Sequence, residues 1–165
     1  MATLLFDLLT DQEAADRANV FDIPLLADSL DQAATWIGTI AAACGRSLGF
    51  FGVSTGAAAG LVAAARRQDV LAIVSRGGRP DFAGDALEDV TPPTLLVVGG
   101  HDPEVPALNR AAYRHLHCER VLELGPAATH LFEEPGTPGA GVALGRSWFL
   151  QHLDLSAAEA CDAAS

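Results

Sequence analysis

Apolar positions in this chain come in short runs, cut apart by glycine, proline and acidic residues. Residues 3–6, Thr-Leu-Leu-Phe, form the first run and predict a short strand. Residues 10–21 are polar and irregular. Asp22-Ile23-Pro24 has the form of a helix start, with Pro24 in the first turn, where a missing N–H does no harm. The spacing beyond it predicts a long helix to about Cys44, closed by Gly45, with Trp36, Ile37 and Ile40 turned toward a sheet. Residues 48–53 are apolar and partly aromatic, a strand pattern. Residues 57–67 are Ala-rich and end in Arg66-Arg67, which suits a helix C-terminus. Further strands are predicted at 70–75, 94–98 and 120–124, and further helices at 107–116 and 141–152. Residues 76–93, rich in Gly, Asp and Pro, read as a loop. Alternating strands and helices predict an α/β fold, with a mainly parallel sheet and flanking helices. No internal repeat is visible.

The junction between the strand at 48–53 and the helix at 57–67 carries the most chemistry. Gly52-Val53-Ser54-Thr55-Gly56 has the spacing G-x-S-x-G. A sharp strand-to-helix turn of this kind lifts a serine hydroxyl out of the sheet, bare for attack. Gly52 and Gly56 are expected where the turn is tightest, and the new helix offers N–H groups to a developing oxyanion. The plain alternative is a serine that caps the helix. A nucleophilic serine needs a base, and the base an orienting acid, and in this type of fold they follow in the order Ser, Asp or Glu, His. Residues 94–98 run into Gly99-Gly100-His101-Asp102, and residues 120–124 run into Gly125-Pro126-Ala127-Ala128-Thr129-His130. Ser54, Asp102 and His130 therefore each follow a predicted strand, at the edge where an open α/β sheet displays its functional groups.

With these residues in place the chain resembles the dienelactone-hydrolase-like group of the α/β hydrolases. The resemblance rests on Ala2-Thr3-Leu4-Leu5-Phe6-Asp7, on Phe51-Gly52-Val53-Ser54-Thr55-Gly56-Ala57-Ala58 and on Val74-Ser75-Arg76-Gly77-Gly78-Arg79-Pro80-Asp81. It continues through Thr94-Leu95-Leu96-Val97-Val98-Gly99-Gly100-His101-Asp102 and Ala128-Thr129-His130-Leu131-Phe132-Glu133-Glu134. It implies Ser54 as nucleophile, Asp102 as orienting acid and His130 as general base. Ser54 stands where dienelactone hydrolases proper carry cysteine, so the implied substrate is an ester or lactone, not a dienelactone in particular. Similar domains sometimes occur fused to a phosphoribosyltransferase, and nothing in these residues encodes one. The resemblance places residues 1–154 in a partial α/β-hydrolase domain lacking its first three strands; the composition of residues 155–165, Ala-rich and acidic, predicts a disordered tail. In such hydrolases a loop after the third strand supplies an oxyanion N–H; here the Thr55 N–H is the evident donor. The strand at 3–6 is expected to pair directly with 48–53. Otherwise an N-terminal segment or a second copy of the chain would complete the sheet.

Composition narrows the rest. The net charge is −11, which leaves no basic face for nucleic acid. There is no lysine, which excludes a P-loop lysine and a Schiff-base enzyme, and no cofactor or metal is expected. Cys44, Cys118 and Cys161 are odd in number without a C-x-x-C, which suggests free thiols in the cytoplasm. Residues 1–10 lack a positive n-region, and no run is long enough to span a membrane. Arg76 and Arg79, around Gly77-Gly78, read either as a clamp for an anionic substrate group or as partners of Asp81 or Asp85. His115 and His117 are two apart on a helix and point to different faces, so they do not form a metal pair. His101 adjoins Asp102 and could line the site; Glu133-Glu134 suit a helix start. Two other functions compete with a serine hydrolase. One is a non-catalytic α/β domain for binding or assembly. The other is a nucleotide-binding domain, disfavoured because Gly52–Gly60 lacks the G-x-G-x-x-G spacing.

Overall fold

The computed structural model describes residues 2–40, 46–99, 104–125 and 137–153, without the side chains of 137–140. Its centre is a four-stranded sheet in the order β1-β2-β3-β4, formed by β1 (Leu48–Ser54), β2 (Val70–Gly78), β3 (Thr94–Gly99) and β4 (Arg120–Gly125). All neighbouring pairs are parallel. Every strand therefore ends on the same edge of the sheet.

Two apolar layers hold the helices on the sheet. On one side, Phe50, Ile73 and Leu96 join buried residues of α2 (Ile23–Gly38), α3 (Thr55–Ala65) and α4 (Val105–His115). On the other, Ala72, Val74, Leu95 and Val97 meet Trp148 and Phe149 of α5 (Thr137–His152) and Leu153 just after it. Glycines allow α5 to sit close: a Cβ at Gly49 would lie 2.7 Å from the Phe149 ring, and one at Gly145 3.1 Å from the Phe51 ring. The helix α3 is buried on nearly all sides, since the sheet lies beneath it and α2 above. That position explains why its sequence is alanine-rich and has no polar face.

Several expectations change. Residues 2–7 contain no strand, so the predicted pairing of 3–6 with β1 is absent and β1 is an edge strand among the described residues. Leu8 and Leu9 pack against the cluster around α2 and α3 instead, drawing the segment's end toward the start of α3. Residues 10–21 hold a short helix, α1 (Asp11–Ala14), with a capping box between Thr10 and Glu13, then a 3-10 stretch, Arg17–Phe21. The helix predicted from Asp22 begins there, with the Asp22 carboxylate accepting from the Leu25 N–H, but ends at Gly38. It packs on α3, not on the sheet, and buries Ile23, Leu26, Ala27 and Ala34 while Trp36 stays 56% exposed. Within 76–93, β2 continues to Gly78 and a 3-10 stretch with a kink at Gly84 covers Pro80–Asp89. Cys44, Gly45, Cys161 and the tail at 155–165 lie outside the described residues.

Candidate active site

The strand β1 passes into α3 at Ser54 with no intervening loop. Ser54 has φ 52° and ψ −126°, and among the described residues no other non-glycine has positive φ. Such a backbone costs on the order of 1–3 kcal/mol and persists only where its surroundings impose it. Here they do. A Cβ at Gly52 would lie 2.5 Å from Ala57 Cα, so the first turn of α3 can fold back over β1 only because residue 52 is glycine. The register between β1 and β2 slips at the same point: Val53 faces Arg76 and Ser54 faces Gly78, leaving Gly77, at φ 52°, bulged out. The Arg79 N–H donates to the Ser54 carbonyl at 3.1 Å. Gly78 in turn sits so close to Ser75 Oγ and Ala57 Cβ that no side chain fits there. Gly56 is different: a Cβ there would meet only Leu8 Cδ1, at 3.7 Å, an ordinary contact.

Ser54 occupies the N-cap position of α3 but makes no side-chain capping bond. Its hydroxyl is thus not committed to the helix. Thr55, buried, opens α3, and its N–H belongs to the first turn, where backbone donors have no partner inside the helix and the helix dipole is positive. A serine oxygen, a first-turn backbone donor beside it and a positive helix end form an arrangement suited to stabilising a negative oxygen.

The strands that precede the other predicted participants end on the same edge of the sheet. Gly99 and Gly125, the last residues of β3 and β4, are register partners, so the two chains leave the sheet side by side at the edge that carries Ser54. Strands about 4.8 Å apart put β3 about 10 Å across from β1. Asp102, His130, His101, Glu133 and Glu134 lie outside the described residues. The two arginines are held in different surroundings. Arg79 makes a two-pronged bond to Asp81, at 2.9 and 2.7 Å, and its guanidinium lies 4.0 Å over the Phe82 ring. Arg76 runs its stem under α5, with Cδ 3.2 Å from where a Gly141 Cβ would be.

One residue absent from the sequence reading stands beside the turn. Asn109 of α4 is fully buried and its Nδ2 donates to the Gly78 carbonyl at 3.0 Å and the Val105 carbonyl at 2.9 Å. The available signal was an amide on the stripe Val105, Pro106, Asn109, Ala112, which is otherwise apolar. His115 is exposed, 3.5 Å from Glu88, and among the described residues no three His, Cys, Asp or Glu are grouped to hold a metal ion. Cys118 is half-buried beside Thr94 Oγ1, and burial pushes its thiol up, away from the reactive thiolate. No helix among the described residues is long and apolar enough to cross a membrane. A shallow cavity of about 770 Å³ lies near Trp36, Arg66 and Asp69, at the far end of α3 from Ser54. It is too remote to serve chemistry at the turn.

No family model matches the chain. Two Mycobacterium tuberculosis proteins, from strains CDC 1551 / Oshkosh and ATCC 25618 / H37Rv, are 53% identical to it over 153 residues. Each is named as a candidate phosphoribosyl transferase, and the match covers 92% of this chain but 34% of theirs. The chain thus spans about a third of the length of these relatives. Among solved structures, a dienelactone hydrolase from Anabaena variabilis superposes with a TM-score of 0.85 at 46% identity, over 90% of this chain and 71% of that one. A monoacylglycerol lipase from Paleococcus ferrophilus shares the fold at a TM-score of 0.60 and 14% identity, over 74% of each chain. The strand order, the serine turn and the extent of the Anabaena match agree: the chain belongs to the dienelactone-hydrolase-like α/β hydrolases.

Proposed function

We propose that this chain is a serine hydrolase for an ester or lactone of a small molecule. Ser54 is the nucleophile, His130 takes its proton, Asp102 orients the imidazole, and the Thr55 N–H stabilises the oxyanion. Attack on the carbonyl forms an acyl-enzyme and expels the alcohol, which takes its proton from His130; water, deprotonated by His130, then releases the acid. The observation that carries the reading is the backbone of Ser54, forced to φ 52° by a built turn while its hydroxyl caps nothing. An anionic group on the substrate would have to compete with Asp81 for Arg79. The transferase name of the mycobacterial relatives covers proteins about three times as long, and this chain matches only a third of them.

A fluorophosphonate probe tests the proposal without knowledge of the substrate. The probe is expected on Ser54, Ser54→Ala should abolish it, and His130→Ala should slow it by several orders of magnitude. Labelling that persists in Ser54→Ala would refute the nucleophile. A folded chain that never labels would favour a binding or assembly role for the same fold.

A further inference from the structure

We propose that Asn109 is a positioning residue that holds the Ser54 turn in its reactive shape through the Gly78–Arg79 peptide. The inference rests on the reading of Ser54 as nucleophile. The Gly78 carbonyl and the Arg79 N–H belong to one planar amide. Its oxygen accepts from Asn109 Nδ2 at 3.0 Å, and its N–H donates to the Ser54 carbonyl at 3.1 Å. Asn109 thus acts on the serine across a single peptide plane. A bond accepted at one end of an amide also polarises the other end, which strengthens the bond to Ser54. The plane is fixed from the sides as well, because Gly78 is in contact with Ser75 Oγ and Ala57 Cβ.

Three further observations favour positioning over packing. Both partners of Nδ2 are carbonyls, so the orientation of the amide is determined by chemistry: only nitrogen can donate to them. Asn109 Oδ1 is buried and, among the described residues, has no hydrogen-bond partner. An orphaned acceptor is unfavourable, and a leucine, with the same branching and the same number of side-chain heavy atoms, would avoid it. What asparagine supplies and leucine cannot is the donor. Finally, the same Nδ2 holds the carbonyl of Val105, the first residue of α4, and Val105 follows Asp102 by three positions in the chain. One side chain therefore fastens the serine turn to the start of the helix that follows the candidate acid.

The test compares the full chain with Asn109→Leu and, as a control for general loosening of the core, Leu116→Ala. Two quantities are read: the second-order rate constant for fluorophosphonate labelling per folded molecule, and amide exchange by NMR at Arg79 and at Ile73, whose N–H bonds to the Pro93 carbonyl at 2.9 Å. In Asn109→Leu the labelling constant should fall about 10- to 100-fold, as expected for a displaced nucleophile. The Arg79 amide should exchange about tenfold faster while Ile73 does not change. In Leu116→Ala labelling per folded molecule should be unchanged. Equal effects on Arg79 and Ile73, or a labelling constant in Asn109→Leu equal to that of the native chain, would overturn the proposal. A native chain that does not label at all would overturn the hydrolase reading and the positioning role together. That outcome is distinct from a native chain that labels and is indifferent to Asn109.

Discussion

Gly52 and Gly56 flank Ser54 symmetrically in sequence and unequally in space. The first is enclosed by the backbone of α3 at 2.5–2.7 Å; the second has only a leucine methyl at 3.7 Å. The same motif letter therefore records two different causes. Gly52→Ala must push the first turn of α3 away from β1. It is expected to destabilise the chain by about 1–3 kcal/mol and to remove Ser54 labelling even in the molecules that stay folded. Gly56→Ala places a methyl in ordinary contact inside a helix and should be neutral or stabilising by up to about 1 kcal/mol, with labelling kept. Urea unfolding and probe labelling of the two variants measure both effects, and equal damage from the two would refute the asymmetry. Ser54 was legible from the motif because its neighbours are small and a strand pattern precedes it. Asn109 was not, because an asparagine on an amphipathic helix reads as a surface residue until the helix is placed against the Gly78 carbonyl.

Elements were legible where apolar runs are short and glycine-bounded, and less so where the partner was another helix. The strands β1, β3 and β4 lie within a residue of their expected ends, since each is an apolar or alternating run closed by a turn. β2 extends past Ser75 because Arg-Gly-Gly, which reads as loop, is paired to the end of β1. The buried face of α2 differs from the expected one for a related reason: its partner is α3, so small residues such as Ala27 and Ala34 go inward and Trp36 goes outward. Arg67 fastens this helix pair. It meets Asp69 in a two-pronged bond at 2.8 and 2.6 Å and reaches Asp31 and Thr35 of α2 at 3.3 and 3.1 Å. The hydrogen bonds from Arg67 hold the Asp69 carboxyl below its ordinary value of 3.8, against the opposing effect of burial. A lowered folded-state value means that the stabilisation is present above the ordinary value and lost as pH falls through the lowered one. Because Asp69 is 57% exposed, the pair is worth no more than about 1 kcal/mol. Asp69→Asn should thus be slightly less stable at neutral pH, and the difference should shrink once pH drops below 3.8. Urea midpoints at neutral and acid pH check this; a difference that grows on acidification would reverse the assignment.

At the scale of the molecule, the open side of the sheet is the feature most at odds with the sequence expectation. Parallel strands are normally covered on both faces and shielded at their edges. Here β1, Leu-Gly-Phe-Phe-Gly-Val-Ser, is an edge strand among the described residues and contains no charge and no proline, the usual guards against edge-to-edge pairing. Phe51 on its α5 face is 46% exposed, and Leu5 in the unpaired segment before it is 93% exposed. Opposing this is a net charge of −11, which keeps copies apart at low ionic strength. The balance is therefore set by salt. At about 0.01 M the screening length is about 30 Å and repulsion acts across the whole molecule; at about 0.15 M it is about 8 Å and the apolar edge is left to decide. The chain alone should sediment as a monomer at low salt and associate with rising concentration at physiological salt. A lysine at the edge adds a guard residue and removes exposed ring area, so Phe51→Lys should return the chain to monomer at the same concentration and salt. Sedimentation velocity on both proteins, across a salt series, reads the outcome. A monomer at every salt and concentration would show that the edge is already protected, and an association unchanged in Phe51→Lys would place the contact on another surface.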